Sequence, residues 1–323
     1  MVAGGSVGIV GSGPIGQGLA TLWAQAGYEV TLGTRSAVSA SLVRVPDSVR
    51  RGTFEDAARH DVVVLAVRHD GAADVTTRLA PLLEGSVVID TMNAVTVREG
   101  RAASALEDGL TEGQWLARLL PGAVVVRAFS HIQDELLVSR ARKTPGVWAV
   151  AYATDATAER SRIEQVIADT GYAPVFVGSL AQSSILDPGG AAFPRLLTRA
   201  ELRGLVTVNR LPEMLERFNT GALADVLHEQ VRWVFPYGPT IGVPDVFEGR
   251  QAVAQHLARV ARSGVRVSAI RTELESPQGA VVNARASFPT PRGVVSSSIV
   301  SIVTVRDGLI GEVREYWDTA AIR

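Results

Sequence analysis

The chain has no cysteine among its 323 residues. That excludes disulfides, thiolate zinc sites and cysteine nucleophiles. Histidine is scarce: there are five, His60, His69, His131, His228 and His256. No two of them stand at a metal-ligand spacing, so no metal is expected. Neither sign of charge is in excess. The 32 Lys and Arg against 33 Asp and Glu leave a formal net charge of −1, so there is no basic footprint for nucleic acid. No apolar run approaches the roughly 20 residues that a membrane-spanning helix needs, and no membrane partner is expected. Met1–Gly5 lacks the basic stretch and apolar core of a secretory leader. With the missing cysteines, this leads to the expectation of a cytoplasmic protein. There is also no P-loop lysine.

What is present suits a globular protein of two domains, with 46% hydrophobic and 20% charged residues over a length beyond one typical core. The first half alternates short, nearly all-apolar runs with helical stretches. The runs are Ser6–Val10, Glu29–Leu32, Asp61–Val67, Ser86–Asp90, Ala123–Phe129, Val147–Ala153 and Ala173–Val177. Such runs fit parallel strands covered on both faces. Thr154–Gly171 reads as a helix with Gly171 as its stop. The alternation predicts an α/β, doubly wound parallel sheet of Rossmann type. Ser183–Pro194, rich in Ser, Gly and Pro, reads as a loop that begins the exit from this domain. The boundary is expected between residues 1–196 and 197–323.

The second half reads as α+β with a curved antiparallel sheet. Thr198–Asn219 is mostly helical, broken by Pro212, and Gly249–Ser263 is another helix. The strands are Val265–Leu274, Ala280–Phe288, Val294–Val305 and Leu309–Trp317, with Asp307-Gly308 as a hairpin turn. Period 2 places Ser297 on the opposite face from Ser296 and Ser298.

Gly11-Ser12-Gly13-Pro14-Ile15-Gly16 is a G-x-G-x-x-G set between a strand and a helix, the context in which that motif has meaning. Gly11 permits the tight turn, Gly13 the approach of a pyrophosphate, and Gly16 close packing of helix on strand. Free N–H groups at the helix start then face the phosphates. The second strand ends at Leu32, followed by Gly33-Thr34-Arg35-Ser36. An acid for the ribose 2′-OH is missing there. Arg35 instead pairs with a 2′-phosphate, with Thr34 and Ser36 donating to it. The expected cofactor is therefore NADP(H) rather than NAD(H).

Val7–Ser36, with G-S-G-P-I-G-Q-G-L-A and L-G-T-R-S, resembles the NADP oxidoreductases that depend on the deazaflavin coenzyme F-420. It also resembles the related domains of ferric reductases and pyrroline-carboxylate reductases. Val64–Arg68, Val88–Asn93, Val125–His131 and Gly171–Leu180 continue the likeness. The resemblance implies that Ala66, Val67, Arg68 and His69 lie along the adenosine–ribose side. It implies also that Asn93 and Ala128–Phe129 approach the nicotinamide. The family commonly has Phe-Asn after its fifth strand, whereas this chain has Phe129-Ser130-His131. That puts deazaflavin in doubt as hydride partner. It also makes His131 a candidate proton donor, with Asn93 beside it.

Arg210–Arg323 resembles the SnoaL-like, nuclear-transport-factor-2-like family. The segments that carry this are Leu215–Trp233, Phe247–Val253 and the closing Val303–Trp317 hairpin. The resemblance implies a cone-shaped α+β barrel around an apolar cavity. Trp233, Phe235 and Tyr237 alternate and are expected on one face of a strand. Tyr237, Asp245, Arg285 and Glu315 are the polar candidates, with Tyr237 and Asp245 taken as catalytic. His228 and Asp245 are only loosely placed for the acid/base role that cyclases of this family use.

The leading expectation is an NADPH-dependent reductase acting on a bulky carbonyl or imine, a small-molecule partner, as a homodimer. A second is a bifunctional enzyme whose C-terminal domain runs its own cyclisation, isomerisation or dehydration. A third is a non-enzymatic NADP(H) sensor.

Overall fold

A computed structural model describes residues 5–36, 44–106, 109–290 and 293–318. The chain divides into two compact units, Met1–Arg199 and Ala200–Arg323.

The first unit is built on an eight-stranded sheet. In chain order its strands are β1 (Ser6–Val10), β2 (Glu29–Gly33), β3 (Arg50–Gly52), β4 (Val62–Leu65) and β5 (Val87–Asp90). A separate two-stranded ribbon follows, β6 (Val95–Arg98) and β7 (Arg101–Ser104). The sheet resumes with β8 (Val124–Ala128), β9 (Ala149–Ala153) and β10 (Ala173–Gly178). Its spatial order is β10-β9-β8-β5-β4-β1-β2-β3. The six strands from β3 to β8 are parallel, whereas β9 joins β8 antiparallel through Arg127–Ala153 and Ala128–Tyr152. The sheet is thus doubly wound, with two reversed strands at one edge.

The apolar runs owe their composition to burial on both sides. In β4, Val62 and Val64 enter one core while Val63 and Leu65 enter the other. Helix α1 (Pro14–Gln25) and the helix Arg160–Ala168 supply Leu19, Trp23, Ile163 and Ile167 to the first core. Helices Ala72–Leu83 and Glu112–Leu119 supply Leu79, Leu83 and Leu116 to the second. Each such side chain stabilises the fold by about 1.5–3 kcal/mol when fully buried. Trp23 also donates from Nε1 to the Val166 carbonyl at 2.9 Å, which satisfies its polar atom inside the core.

Ser183–Pro194 is a loop only from Asp187 onward. Its first residues complete a 3-10 helix, Leu180–Leu186, and Ser183, Ile185, Leu186 and Asp187 are buried in the first unit. The reason is a charge: Asp187 bonds the buried Arg127.

The second unit has a six-stranded sheet of β11 (Leu227–Val234), β12 (Val246–Glu248), β13 (Arg266–Ser276), β14 (Gly279–Thr290), β15 (Gly293–Arg306) and β16 (Leu309–Trp317), ordered β12-β11-β16-β15-β14-β13. It is antiparallel except between β11 and β16. The helical stretch before it breaks at Pro212 into Arg199–Asn209 and Leu211–Glu216. With helix Arg250–Arg262 these pack on the sheet, burying Met214, Phe218, Val253 and Leu257 among Trp233, Val282 and Val313. Ser297 is buried while Ser296 and Ser298 are exposed. At the last hairpin Asp307 and Gly308 have φ of 52° and 77°, as a type I′ turn requires. Among the described residues no helix is long and apolar enough to cross a membrane.

Candidate functional site

In the first unit, β1 and β4 are neighbours from which the chain winds outward in opposite directions. Ligands of such sheets bind at the carboxyl ends of the strands at this switch point. The glycine loop lies here. Gly11 has φ +117°, and a Cβ on it would sit 2.3 Å from the Ala66 carbonyl oxygen. On Gly16 it would sit 2.0 Å from the Gly11 carbonyl oxygen. Both positions therefore need glycine to close the turn and seat α1 on the sheet. Gly13 differs: a Cβ there meets nothing within 4 Å. Its backbone borders open space where α1 begins. Pro14 opens that helix at no cost, since its missing N–H would have no partner in the first turn. The remaining first-turn N–H groups form the donor set that an anionic pyrophosphate fits. Ser12 is tied down through its carbonyl, which accepts from Gln17 Nε2 at 2.8 Å.

At the end of β2, Arg35 and Ser36 are exposed and Thr34 is buried. The Thr34 hydroxyl donates to the Ser36 carbonyl at 3.2 Å. Its proton is therefore spent within the chain, and Arg35 and Ser36 are the exposed polar residues at this strand end.

Next to the loop is a cleft of about 460 Å³. Ile15, Ala66, Val67, Arg68, His69 and Asn93 are among its lining residues. Arg68 forms an exposed pair with Asp70 at 3.0 Å. Ala128 is fully buried in the core and is not in the cleft wall. Asn93 is held at both ends: Oδ1 accepts from Arg127 Nη2 at 2.8 Å, and Nδ2 donates to the Ser130 carbonyl at 2.8 Å.

Behind the cleft lies a buried polar cluster that the sequence pattern did not reveal. Arg127 is wholly buried and pairs with Asp90 and Asp187, each at 3.1 Å. It donates as well to the Met92 carbonyl. Burial pushes both carboxyls up, with the Arg127 charge acting against it. Glu112 is 1% exposed, and burial pushes its carboxyl up to about 7 despite Arg127. Its Oε1 accepts from the Ala94 N–H at 2.8 Å, and its Oε2 lies 3.8 Å from His69 Nδ1. His69 packs against Trp115 with ring centres 4.7 Å apart. Burial and then the Arg127 charge hold its imidazole below the usual range, and its buried Nδ1 has no hydrogen-bond partner among the described residues. A histidine in the cleft wall is thus backed by a carboxyl that titrates near neutrality.

His131 is not brought to the cleft. Phe129 takes a left-handed turn at the end of β8 with φ +62°, and His131 is 1% exposed. The Ala151 N–H approaches its Nε2 at 3.4 Å. Burial, with Arg127 second, pushes the imidazole down to about 4. This is a neutral core histidine.

In the second unit Trp233 and Phe235 face inward, but Tyr237 is 53% exposed. β11 ends at Val234 and the chain turns through a 3-10 helix at Gly238–Ile241, so the alternation stops before Tyr237. Asp245 and Arg285 are also exposed. Neither Tyr237 nor Asp245 lines the enclosed cavity of this unit, whereas Glu315 and His256 do.

Residues 6–94 match the family described as NADP oxidoreductase, coenzyme F420-dependent. Residues 208–313 match the SnoaL-like domain family. The metalloreductase STEAP3 of Rattus norvegicus is 28% identical over 180 residues, which are 55% of this chain and 34% of that protein. The chain thus spans about a third of the length of this curated relative. A hypothetical protein of Sinorhizobium meliloti aligns in structure with a TM-score of 0.55 and 28% identity, covering 61% of this chain and 96% of that one. A structure from Arthrobacter sp. FB24 assigned as an F420-dependent NADP reductase gives a TM-score of 0.48 and 24% identity, over 55% of this chain and 86% of the other.

Proposed function

We propose that the chain is an NADPH-dependent reductase acting on a carbonyl or imine of a bulky substrate. The observation that carries this is the open glycine cradle at the head of α1, beside a cleft whose wall holds a histidine backed by a buried carboxyl. When bound, NADPH supplies the hydride. The chain's own residues do the rest. Gly13 and the first turn of α1 receive the pyrophosphate, and Arg35 takes the 2′-phosphate. Ala66, Val67 and Arg68 border the ribose side.

Asn93, fixed by Arg127, orients groups at the inner end of the cleft. The proton-donor role expected of His131 passes to His69, whose ring lines the cleft with Nδ1 toward Glu112. Ile15, Met92 and Val95 give the cleft an apolar side that suits a bulky substrate. A homodimer through the second unit's sheet is part of this proposal, because Val300 and Ile302 of β15 are 40% and 43% exposed.

The test is a panel of bulky ketones, cyclic imines and a deazaflavin, followed by loss of reduced-nicotinamide absorbance. Turnover of a ketone or imine supports the proposal. Oxidation of NADPH by the deazaflavin alone, or by nothing in the panel, overturns it.

A further inference from the structure

Gln17 is the fourth residue of α1 and is half-buried. Its side-chain amide makes two bonds to separate parts of the chain. Nε2 donates to the Ser12 carbonyl at 2.8 Å, and Oε1 accepts from the Arg44 N–H at 2.7 Å. Arg44 lies 27 residues after Gln17 and nine after Arg35. The chain is well seated where Gln17 meets it, since Val45 packs against the first core and Val49 is buried in it. Both bonds together need a primary amide. An ionised Glu accepts but does not donate, a Lys donates but does not accept, and a Met of similar reach does neither well.

Each bond bears on one end of the cofactor site. The Ser12–Gly13 peptide is trans, so its N–H points opposite to its carbonyl. Holding the Ser12 carbonyl toward Gln17 therefore aims the Gly13 N–H away from Gln17. Gly13 is the exposed residue whose Cβ would meet open space, where a pyrophosphate fits. At the other end, Arg35 follows β2 and stands in the chain between two attachments to the glycine loop and α1. Before it, the Gly11 N–H donates to the Gly33 carbonyl at 3.2 Å. After it, the Arg44 N–H donates to Gln17. The first attachment is backbone alone, whereas the second depends on one side chain.

We infer that Gln17 is a positioning residue that clamps the pyrophosphate loop to the chain following Arg35, and so strengthens the preference for NADPH over NADH. This rests on the reading of Arg35 as the partner of the 2′-phosphate. Gln17 acts through the groups it holds and not by contact with the cofactor. With the loop and the arginine ordered before the ligand arrives, less of the binding free energy goes into ordering them. NADPH engages both ends and gains from both bonds. NADH has no 2′-phosphate and gains chiefly from the bond to Ser12.

The test is titration calorimetry of the full chain with NADPH and with NADH, on the parent protein, Gln17→Met and Gln17→Ala. Met keeps the reach of the side chain without the amide, and Ala suits a helix. Either variant is expected to bind NADPH about 10-fold and NADH about 3-fold more weakly, the size of one or two partly exposed hydrogen bonds. Thermal unfolding is expected to move little. In an Arg35→Ala background, Gln17→Met is expected to cost NADPH only about 3-fold, because the part that acts through Arg35 is already gone. A general loosening of the domain would instead cost both cofactors alike and cost the same in both backgrounds. Parental NADPH affinity in either folded variant, equal losses for NADPH and NADH, or an undiminished loss in the Arg35→Ala background overturns the inference. Loss of the fold in both variants also overturns it, since a clamp at the surface of α1 is not a folding element. A parent protein without preference for NADPH overturns the Arg35 reading and this inference with it. A parent that prefers NADPH, joined to any of the other contrary results, overturns this inference alone.

Discussion

His69 and Glu112 carry the proposed proton transfer. They stand 43 residues apart in the chain, and no periodicity links them, so the sequence offered His131 instead. The structure exchanges the two histidines because the left-handed turn at Phe129 buries His131. Two predictions concern this pair. Glu112→Gln removes a carboxyl that titrates at about 7. The limb of the kcat/KM profile near neutrality is expected to disappear, and His69→Gln is expected to lower kcat by about 10²–10⁴-fold. Pre-steady-state and pH-rate measurements on the substrate found in the panel check both.

His131 makes a third prediction, on stability. Its folded pKa of about 4 lies below the usual 6.5. Above that usual value the unfolded and folded chains are both neutral there, and nothing is lost. As pH falls from 6.5 toward 4 the unfolded chain gains a proton that the folded one refuses. Stability should therefore drop by about 3 kcal/mol across that window. Urea melts are expected to show a smaller drop in His131→Gln, which carries no titrating ring.

At the scale of elements, the sequence was most legible where both faces of a strand are covered. Val62–Leu65 and Val87–Ile89 present only apolar side chains, and their two cores show why. Pro212 and Asp307-Gly308 were legible for a different reason, since each restricts the backbone locally. Asp187 was not. It stands in a Ser-, Gly- and Pro-rich stretch, and its burial depends on Arg127, 60 residues earlier. Tyr237 failed through a boundary: the strand ends three residues before it.

The glycine loop gives the prediction at this scale. Gly13→Ala places a methyl group in open space, whereas Gly11→Ala places it against Ala66 at a left-handed φ. Thermal unfolding is expected to move little for Gly13→Ala, with NADPH affinity falling about 10-fold or more as the methyl blocks the phosphate approach. Gly11→Ala is expected to lose stability itself. Equal effects of the two on affinity and stability would contradict these separate roles.

At the scale of the molecule, two units carry two different pockets. The first has a cleft beside a glycine cradle, and the second an apolar cavity with one acid in its wall. The division into an α/β half and a sheet-rich half was readable from the change of pattern after residue 180. The contents of the second pocket were less so. Glu315 was one polar candidate among several until the sheet register set it opposite Ser301.

The central claim is that the first unit selects NADPH through Arg35. Titration calorimetry of the full chain with NADPH and with NADH tests it most directly, repeated on Arg35→Ala. The account predicts NADPH binding at least ~10-fold tighter than NADH, with that margin lost in the variant, as expected of a charge-assisted contact to a phosphate. Equal affinities for the two cofactors, or an Arg35→Ala protein that binds NADPH as the parent does, would contradict it.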